Sequence, residues 1–311
     1  KIADFTRTLI IAILLIAMIN LALGHHVGYA LGYNFLGSIS LIVAAIPEML
    51  PMIVTGILAL SATRMAQRSA LIRRLPAAET LGCTTVICSD KTGTLTKNEM
   101  TVQAILCADN AYDVHGVGYD PEGFFVQNQA PVDLAQLPLA LRETLRAGLL
   151  CNDATLIKEG THHHIVGDPT EGALLVSAAK AQVIDHSERL DEIPFDSENM
   201  YMATLHRGEK SNHIYVKGSP EQVLALCTHQ LTQNGTTDIT PRQIHEQAEQ
   251  LATQALRLLA IASKTVPHTH TRITAKDLHT LTFLGIEGMI DPPRPEAITA
   301  IEQCKQAGIR P

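Results

Sequence analysis

A short segment of the sequence carries the groups that phosphoryl chemistry needs. The segment "SDKTGT" (residues 89–94) holds a carboxylate, an amine, a glycine and several hydroxyls. A carboxylate such as that of Asp90 can attack a phosphoryl group, which splits one difficult transfer into two easier ones. Lys91, a bound Mg²⁺ and backbone N–H groups from a tight turn at Thr92 and Gly93 could neutralise the developing charge. An ordinary strand-to-turn exit uses the same residue types, so the segment alone leaves both interpretations open.

The residues before this segment predict the element that positions it. Residues 84–88 are of strand-forming type and run directly into Ser89 and Asp90. In an open α/β sheet, ligands bind at the carboxyl ends of the strands. We therefore predict a buried strand over residues 84–88, with Asp90 at its carboxyl end.

Two long apolar runs predict a transmembrane hairpin. Hydrophobic residues make up 46% of the 311 residues, and the runs at about 5–24 and 35–60 approach the roughly 20 residues needed to cross a bilayer. About ten residues join the two runs. Arginines follow the second run, so the positive-inside rule places residues from 63 onward in the cytoplasm. A pair of buried core helices is the alternative. The arginines are Arg64, Arg68, Arg73 and Arg74.

The centre of the second run has a pattern that fits ion binding. In "VAAIPEMLP" (residues 43–51), Pro47 and Pro51 lack the N–H that would close a helical turn, which frees carbonyl groups. Glu48 lies between them, and an acidic side chain at mid-membrane costs roughly 2.5–3.5 kcal/mol on insertion scales. Carbonyl oxygens beside a carboxylate form a hard-oxygen site for a cation. The alternative is a proline kink in which Glu48 pairs with another helix.

Composition argues against several classes of protein. The net charge of −7 gives no indication of nucleic-acid binding. The six cysteines include no CxxC pair, so reduced thiols are a simpler interpretation than a disulfide framework or a zinc site. The histidines at 162–164 are adjacent, so along an extended segment they point alternately in opposite directions. We predict a solvated loop there rather than a metal site.

The segment "SDKTGTLT" (residues 89–96) resembles the phosphorylation motif of P-type ATPases, ion pumps that cycle through an aspartyl phosphate. The resemblance spans essentially the whole chain and fits the type II subgroup, which includes calcium pumps. Six further motifs follow the order of the family: "VAAIPEMLP" before the aspartate, and after it "GDPTEGALL", "IPFDSENMYMATL", "YVKGSPE", "ALRLLAIA" and "MIDPPRPEA".

The resemblance implies a transmembrane α-helical hairpin plus a cytoplasmic α/β part. That part would be a HAD-like (Rossmannoid) phosphorylation domain, split by an inserted α+β nucleotide-binding domain. An actuator domain, the rest of the phosphorylation domain and further membrane helices would complete the pump, so we expect this chain alone to be inactive. The expected limits are 1–62 for the two transmembrane helices, 63–98 for the stalk and the N-terminal part of the phosphorylation domain, 99–290 for the nucleotide-binding domain, and 291–311 for the start of the second part of the phosphorylation domain.

The resemblance also implies ATP as substrate, Mg²⁺ as cofactor and roles for individual residues. Asp90 would be the nucleophile, supported by Lys91 and Thr92, and Mg²⁺ would be held by Asp90 and the main-chain carbonyl of Thr92. The adenine ring would stack on Phe195, and Glu171 would accept a hydrogen bond from its amino group. The implied nucleotide-binding residues are Glu171, Phe195, Lys217, Gly218, Arg257 and Asp291.

Helix caps and one departure from the family concern the same region. "GDPTEGALL" contains a capping box, with Asp168 as N-cap and Glu171 at N3, and Ser219 is predicted to cap a second helix. Calcium pumps carry an arginine and a lysine where this chain has Ser197 and Met200. Two cationic contacts to the nucleotide are therefore absent, which predicts lower affinity or a larger share for Arg257 and Lys217.

The transported ion and the class of protein stay open. A site rich in protein carbonyls favours Ca²⁺, and the phosphorylation and stalk motifs resemble the calcium-type group, so we rank Ca²⁺ export first. "PEMLPMIVT" (residues 47–55) resembles bacterial magnesium-importing ATPases, so Mg²⁺ transport ranks second. Two further hypotheses are a membrane-tethered phosphatase with an aspartate nucleophile and an inactive, degenerate chain. We expect a multi-pass protein of the bacterial inner membrane. The implied cation ligands are Val43, Ala44, Ile46 and Glu48.

Overall fold

The computed structural model describes residues 2–45, 49–108, 110–160 and 162–311, which fall into two units. The first unit contains Lys1–Ile87 together with Arg310, and the second contains Cys88–Ile309 together with Pro311. The apolar helices belong to the first unit, and both parts of the candidate site belong to the second.

The connection between the first two helices is shorter than the predicted ten residues, and that prediction is wrong. Residues 28–30 alone separate them. His25 and His26 occupy the last turn of the first helix, and Gly28 then has a φ of 90°. Glycine adopts this left-handed conformation without steric cost, so the chain can reverse within a very short stretch. The helices described in this unit are α1 (Ile2–Val27), α2 (Leu31–Ala45), α3 (Met49–Gln67) and α4 (Leu75–Gly82).

Two polar contacts join α1 to α2. Nδ2 of Asn20 donates to Oγ of Ser38 at 3.1 Å, and Nδ2 of Asn34 donates to the carbonyl of Leu21 at 2.7 Å. A Cβ atom on Gly24 would lie 2.1 Å from the side-chain oxygen of Asn34, so a larger residue there would displace this side chain. The order of the contacts shows that the two helices are antiparallel neighbours.

One helix in the described ranges, over Arg7–Val27, is long and apolar enough to cross a membrane by length and composition. Leu31–Ala45 and Met52–Gln67 are apolar but shorter. The run predicted as a second span at about 35–60 is therefore divided between α2 and α3, and its crossing of a membrane stays a prediction. Residues 46–48 lie outside the described residues, and with them two predicted cation ligands, Ile46 and Glu48.

The prediction of a buried strand over residues 84–88 is wrong. Val86 forms a single parallel bridge with Arg310, and the side chains of Val86 and Ile87 are 52% and 41% exposed. A strand becomes buried only when neighbouring strands and a covering layer take up its hydrogen bonds and side chains. In the described part of this unit, Arg310 is the one residue that bridges to this segment, and its carbonyl accepts the amide of Ile87 at 2.9 Å. The HAD-like sheet stays a prediction.

A large, mostly antiparallel sheet forms the centre of the second unit. The strands described in this unit are β1 (Thr101–Cys107), β2 (Asn110–His115), β3 (Phe124–Gln127), β4 (Ala130–Pro131), β5 (Thr155–Glu159), β6 (His162–Val166), β7 (Arg189–Asp196), β8 (Tyr201–His206), β9 (Ser211–Gly218), β10 (Cys227–Thr232), β11 (Gly235–Asp238), β12 (Arg257–Pro267) and β13 (Leu281–Ile290). The sheet order is β4-β3-β2-β1-β13-β12-β9-β8-β7, β10 lies parallel to β13, and β11 pairs with β10. Strands β5 and β6 form a separate hairpin.

Helices cover both faces of this sheet. Successive side chains of a strand point to opposite faces, and β9 shows the result. Ile214 and Val216 pack in one cluster with Ile244, whereas Tyr215 packs in another with Leu150. One face is thus covered by α5 and α6, and the other by α7 and α8. The helices described in this unit are α5 (Leu139–Leu150), α6 (Pro169–Lys180), α7 (Pro220–Leu226), α8 (Pro241–Ala252) and α9 (Pro295–Gln306).

The chain enters and leaves the sheet through two neighbouring strands. Thr101 of β1 pairs with Ile290 of β13 in antiparallel register. Ends that lie close together suit a domain inserted into another, because the host chain can continue past it with little rearrangement. The limits 99–290 stay a prediction.

The histidines at 162–164 belong to a strand, so the predicted loop is wrong. His163 lies opposite Lys158, and His164 lies opposite Ile157, in the antiparallel hairpin of β5 and β6. A glycine with a φ of 63°, Gly160, stands at the tip and provides the positive φ that a tight hairpin needs. Within the described ranges, no three His, Cys, Asp or Glu side chains are grouped so that they could hold a metal ion.

Candidate nucleotide pocket and phosphorylation loop

A cavity of about 470 Å³ lies at the start of α6 and β12 and at the ends of β7 and β9. Five of the six residues predicted to bind nucleotide line it, and they come from four separate elements. The sheet therefore brings together side chains that lie far apart in the sequence. The lining residues are Asp168, Thr170, Glu171, Phe195, Met200, Lys217, Gly218, Ser219, Arg257, Leu258 and Leu259.

An ion pair between Glu171 and Lys217 forms part of the lining. Nζ of Lys217 lies 2.5 Å from Oε1 of Glu171, and the two side chains are 7% and 16% exposed. The amide of Asp153 donates to Oε2 at 3.1 Å. Pairing of this kind avoids the cost of an uncompensated buried charge. A carboxylate has about four acceptor positions, so Glu171 can still accept a hydrogen bond from a ligand.

The start of α6 shows why Glu171 faces the cavity. Asp168 is the N-cap, as predicted, and its Oδ1 accepts the amides of Thr170 at 2.7 Å and Glu171 at 3.4 Å. The predicted capping box is wrong in its second half, because the carboxylate of Glu171 bonds to Lys217 and to the amide of Asp153. A charged partner in a buried setting outweighs a bond to an exposed N-cap amide.

The turn after β9 requires glycine. A Cβ atom on Gly218 would lie 2.4 Å from the carbonyl oxygen of Met200, which also accepts the amide of Ser219 at 3.0 Å. Oγ of Ser219 accepts the amide of Gln222 at 3.4 Å, so the predicted cap of α7 is confirmed. This turn fixes the backbone beside Lys217 in the lining.

The rest of the lining offers an apolar surface and one cation. The side chain of Phe195 is 62% exposed, and that of Met200 is 43% exposed. An exposed aromatic ring in a cavity provides a face on which a planar base can stack. Nη1 of the exposed Arg257 donates to Oγ1 of Thr170 at 3.3 Å. Met200, where calcium pumps carry a cation, adds an apolar side chain to this surface.

The loop predicted to be phosphorylated (residues 89–94), called the phosphorylation loop below, is an exposed turn. Oδ1 of Asp90 accepts the amide of Lys91 at 2.7 Å, and the carbonyl of Lys91 accepts the amide of Thr96 at 3.1 Å. Gly93 has a φ of 72°, so the predicted turn at this glycine is confirmed. Asp90 and Lys91 are both exposed, and the carboxylate is thus open to an approaching phosphoryl group.

Thr96 joins this loop to the segment after β13. Its buried hydroxyl lies 2.5 Å from Oδ2 of Asp291 and 3.1 Å from the carbonyl of Lys91, and it accepts the amide of Gly93 at 3.2 Å. Oδ1 of Asp291 accepts the amide of Glu99 at 3.2 Å. Asp291, predicted to bind nucleotide, does not line the cavity and anchors the loop. Its nucleotide role stays a prediction.

Arg294 strengthens the same connection. Its Nε donates to the carbonyl of Thr96 at 3.0 Å across 198 positions of sequence, and its amide donates to the carbonyl of Leu95 at 2.8 Å. Sequence reasoning missed Thr96 and Arg294 in this role. No local spacing relates residues so far apart, and only the "DPPRP" motif marked the segment at all.

The loop has donors that fit Mg²⁺. The carboxylate of Asp90 and the main-chain carbonyl of Thr92 are hard oxygen groups on an exposed turn, which is the kind of ligand that Mg²⁺ takes. Thr92 is extended, with φ −74° and ψ 125°.

The predicted ligands of the transported cation are described only in part: Val43 and Ala44 are exposed residues in the last turn of α2.

Burial changes the pKa of two side chains, one at the end of α5 and one on β13. It raises the pKa of the Cys151 thiol, although the nearby Lys217 opposes the rise. A buried thiol of raised pKa is unreactive. Burial also raises the pKa of Glu287 to about 8, opposed by a hydrogen bond that Oγ of Ser177 donates to its Oε2 at 2.7 Å. The raised pKa favours the protonated form of Glu287 at neutral pH.

Comparison with known families identifies the class of protein. The family model described as P-type ATPase, cytoplasmic domain N, matches residues 140–296. The match covers half of the chain and includes every residue that lines the cavity. The chain belongs to the P-type ATPase family.

Curated relatives match beyond this domain. A protein named cation-transporting ATPase pma1 from Synechocystis is 48% identical over 99% of this chain, and a calcium-transporting ATPase from Bacillus subtilis is 37% identical over 100%. Calcium-transporting ATPase 1 from Saccharomyces cerevisiae is 41% identical over 88%. The chain spans 35%, 36% and 30% of the lengths of these three relatives.

Proposed function

We propose that this chain binds ATP in the cavity and carries the phosphorylated aspartate of an ATP-driven cation pump. The observation that carries the proposal is the paired Glu171 and Lys217 beside the exposed ring of Phe195, in one cavity of a P-type ATPase. A charged acceptor, a cation and an aromatic face are what a nucleotide needs for its base and its phosphates.

The cavity would bind the two ends of ATP with different groups. Adenine would stack on Phe195, and its 6-amino group would donate to the carboxylate of Glu171. Lys217 and the backbone at Gly218 would line the floor beneath the base. Arg257, exposed at the start of β12, would reach toward the phosphates.

Phosphoryl transfer would take place at Asp90. A carboxylate oxygen of Asp90 attacks the γ-phosphorus, the bond to the β,γ-bridging oxygen breaks, and ADP leaves with that electron pair. Lys91 and the amides of the turn at Thr92 and Gly93 would stabilise the charge on the phosphoryl oxygens. Mg²⁺ held by Asp90 and the carbonyl of Thr92 would supply further charge neutralisation. Water would later hydrolyse the aspartyl phosphate.

We infer that the transported cation is Ca²⁺ and that the pump exports it from the cytoplasm. Carbonyl groups at Val43, Ala44 and Ile46 and the carboxylate of Glu48 would form an oxygen-rich set, which would suit the flexible coordination of Ca²⁺ better than the tight octahedron of Mg²⁺. Two of the relatives are named calcium-transporting ATPases. Mg²⁺ transport is the second candidate, because "PEMLPMIVT" resembles magnesium importers.

ATPase activity of the complete protein in lipid vesicles tests this proposal. With MgATP present throughout, we expect activation by micromolar Ca²⁺ and its loss in Glu48→Gln. Glu79→Gln, on α4, is the matched control and should retain activation. Activity that is indifferent to Ca²⁺ and unaffected by Glu48→Gln would overturn both the ion and its site, and stimulation by rising Mg²⁺ alone would select the second candidate.

A further inference from the structure

The carboxylate of Glu171 is held on both of its oxygens. Lys217 pairs with Oε1, and the amide of Asp153 donates to Oε2 at 3.1 Å. Lys217 is on β9, within the cavity lining, whereas Asp153 is in the turn that follows α5. The direction in which Glu171 presents its free acceptor positions therefore depends on a turn outside the lining.

Asn152 ties that turn to α6. Its Nδ2 donates to the carbonyl of Glu171 at 2.9 Å and to the carbonyl of Gly148 at 3.1 Å. Its Oδ1 accepts the amide of Ala154 at 2.9 Å, and the residue is 7% exposed. The turn and the first turn of α6 thus form one hydrogen-bonded structure.

Arg189 closes the same turn from the other side. Its Nη1 donates to Oδ1 of Asp153 at 2.6 Å, and its Nη2 donates to the carbonyls of Leu150, at 3.3 Å, and of Asn152. The planar guanidinium suits several fixed acceptors at once. Arg189 begins β7, the strand that also carries Phe195.

We propose that Arg189 is a positioning residue for adenine recognition. Arg189 holds the turn at Asn152 and Asp153 in place through its hydrogen bonds, and this turn orients the carboxylate of Glu171. Strand β7, which begins at Arg189, also carries Phe195, on whose ring the base would stack. The proposal rests on the proposed ATP site and adds the reason why this site selects adenine. Recognition of a 6-amino group requires an acceptor in the plane of the stacked base, so a displaced carboxylate loses the hydrogen bond while the stacking remains.

A simpler role for Arg189 predicts a different result. If the charge of Arg189 attracted the phosphates, its loss would weaken the binding of every nucleoside triphosphate by the same factor. If it only stabilised the fold, its loss would reduce the fraction of protein that binds. Neither effect changes the ratio of two dissociation constants measured on the same sample.

The test compares ATP with purine riboside triphosphate, which lacks the 6-amino group. Both are titrated into the 311-residue chain in detergent micelles. We expect the chain to prefer ATP on the order of tenfold, the value of one hydrogen bond to a charged acceptor. Glu171→Ala gives the ratio of the two dissociation constants when that hydrogen bond is absent. Arg189→Met should bring the preference most of the way to this value.

Two further variants make the result decisive. Arg207→Met removes an arginine whose Nε pairs with Glu188 at 2.7 Å away from the cavity lining, and it should keep the full preference. Arg189→Lys keeps the charge with fewer donors and should be intermediate, and it decides the question if Arg189→Met does not fold. A wild-type preference in both Arg189 variants would overturn the inference alone. A wild-type chain that binds neither nucleotide would overturn the proposed ATP site, and the inference with it.

Discussion

The cavity and the phosphorylation loop each contain a carboxylate and a lysine, but the two pairs differ in burial and in hydrogen bonding. In the cavity, Glu171 and Lys217 are largely buried and paired with each other. In the loop, the adjacent Asp90 and Lys91 are both exposed, and among the described bonds the carboxylate of Asp90 accepts only a local backbone amide. A paired and buried carboxylate is fixed in direction, whereas an exposed one remains accessible for attack.

This difference in burial matches the different requirements of ligand binding and of nucleophilic attack. Binding specificity requires groups that are held still, which burial and multiple hydrogen bonds achieve. Nucleophilic attack requires an accessible oxygen whose approach is set by a tight turn. Here that turn is anchored through Thr96 to Asp291, so the loop is positioned while the carboxylate that we propose as nucleophile is left open.

The largest expected effect separates the two regions completely. Asp90→Asn in the complete protein should reduce acid-stable phosphoenzyme formed from labelled ATP to background, since an amide oxygen is a poor nucleophile. ATP binding should remain, because Asp90 does not line the cavity. Asp113→Asn, an exposed aspartate on β2, is the control and should retain labelling. Wild-type labelling in Asp90→Asn would assign the nucleophile elsewhere.

The sheet that supports the cavity should lose stability as the pH rises. The pKa of Glu287 in the folded protein is about 8 because of burial, so its contribution is complete below its unfolded pKa and is lost as pH rises through about 8. Between the two values the free energy of unfolding should fall by about 1.4 kcal/mol per pH unit, several kcal/mol in all.

Urea unfolding followed by the fluorescence of the buried Tyr112 and Tyr215 measures this effect. Glu287→Gln should abolish this fall, and Glu302→Gln, at an exposed residue of α9, should behave like the wild type. A flat profile in the wild type would show that Glu287 does not titrate as its burial predicts.

Removal of the aromatic ring of Phe195 should weaken ATP binding in the cavity without affecting the fold. Phe195→Ala should cost about 1–3 kcal/mol in ATP binding, by analogy with base–aromatic stacking. Phe124→Ala is a matched control, because Phe124 is 51% exposed and stacks on His115 away from the cavity. Titration of the 311-residue chain measures both. Equal affinities for the two variants would place the adenine elsewhere.

The smallest effect concerns the missing cation. Met200→Lys should strengthen ATP binding by about 0.2–1 kcal/mol, the range of an exposed ion pair. The gain should shrink as salt is raised, because screening weakens exposed charges. Ile184→Lys, at a position 77% exposed outside the lining, adds the same charge and should change affinity less. An equal gain in both variants would indicate attraction by net charge alone.

Short-range features were predictable from the sequence. The turn at Gly93 and the caps at Asp168 and Ser219 involve residues a few positions apart, so local residue preferences decide them. The family itself was recognisable from its ordered motifs, and the family model confirms it. The prediction was wrong where a distant partner outweighed a local preference. Glu171, for example, pairs with Lys217 instead of completing the predicted capping box.

Long-range features needed the tertiary structure. The strand expected over residues 84–88 depended on neighbours that local pattern cannot supply. The histidines at 162–164 became a strand because β5 pairs with them. Arg189 carried no sequence signal for this role, since the acceptors that form the turn lie at the end of α5 and just after it, more than thirty positions earlier.

The sequence by itself determined the types of group present: a carboxylate next to an amine on a glycine turn, an aromatic residue, and the cations that could meet a phosphate. These depend on side-chain chemistry and local backbone preference, which a sequence contains. Only the tertiary structure decided which of them face one another. The sheet places Glu171 against Lys217 and Asp291 against Thr96, because hydrogen bonds across strands and buried charge pairing connect residues without regard to their separation in the chain.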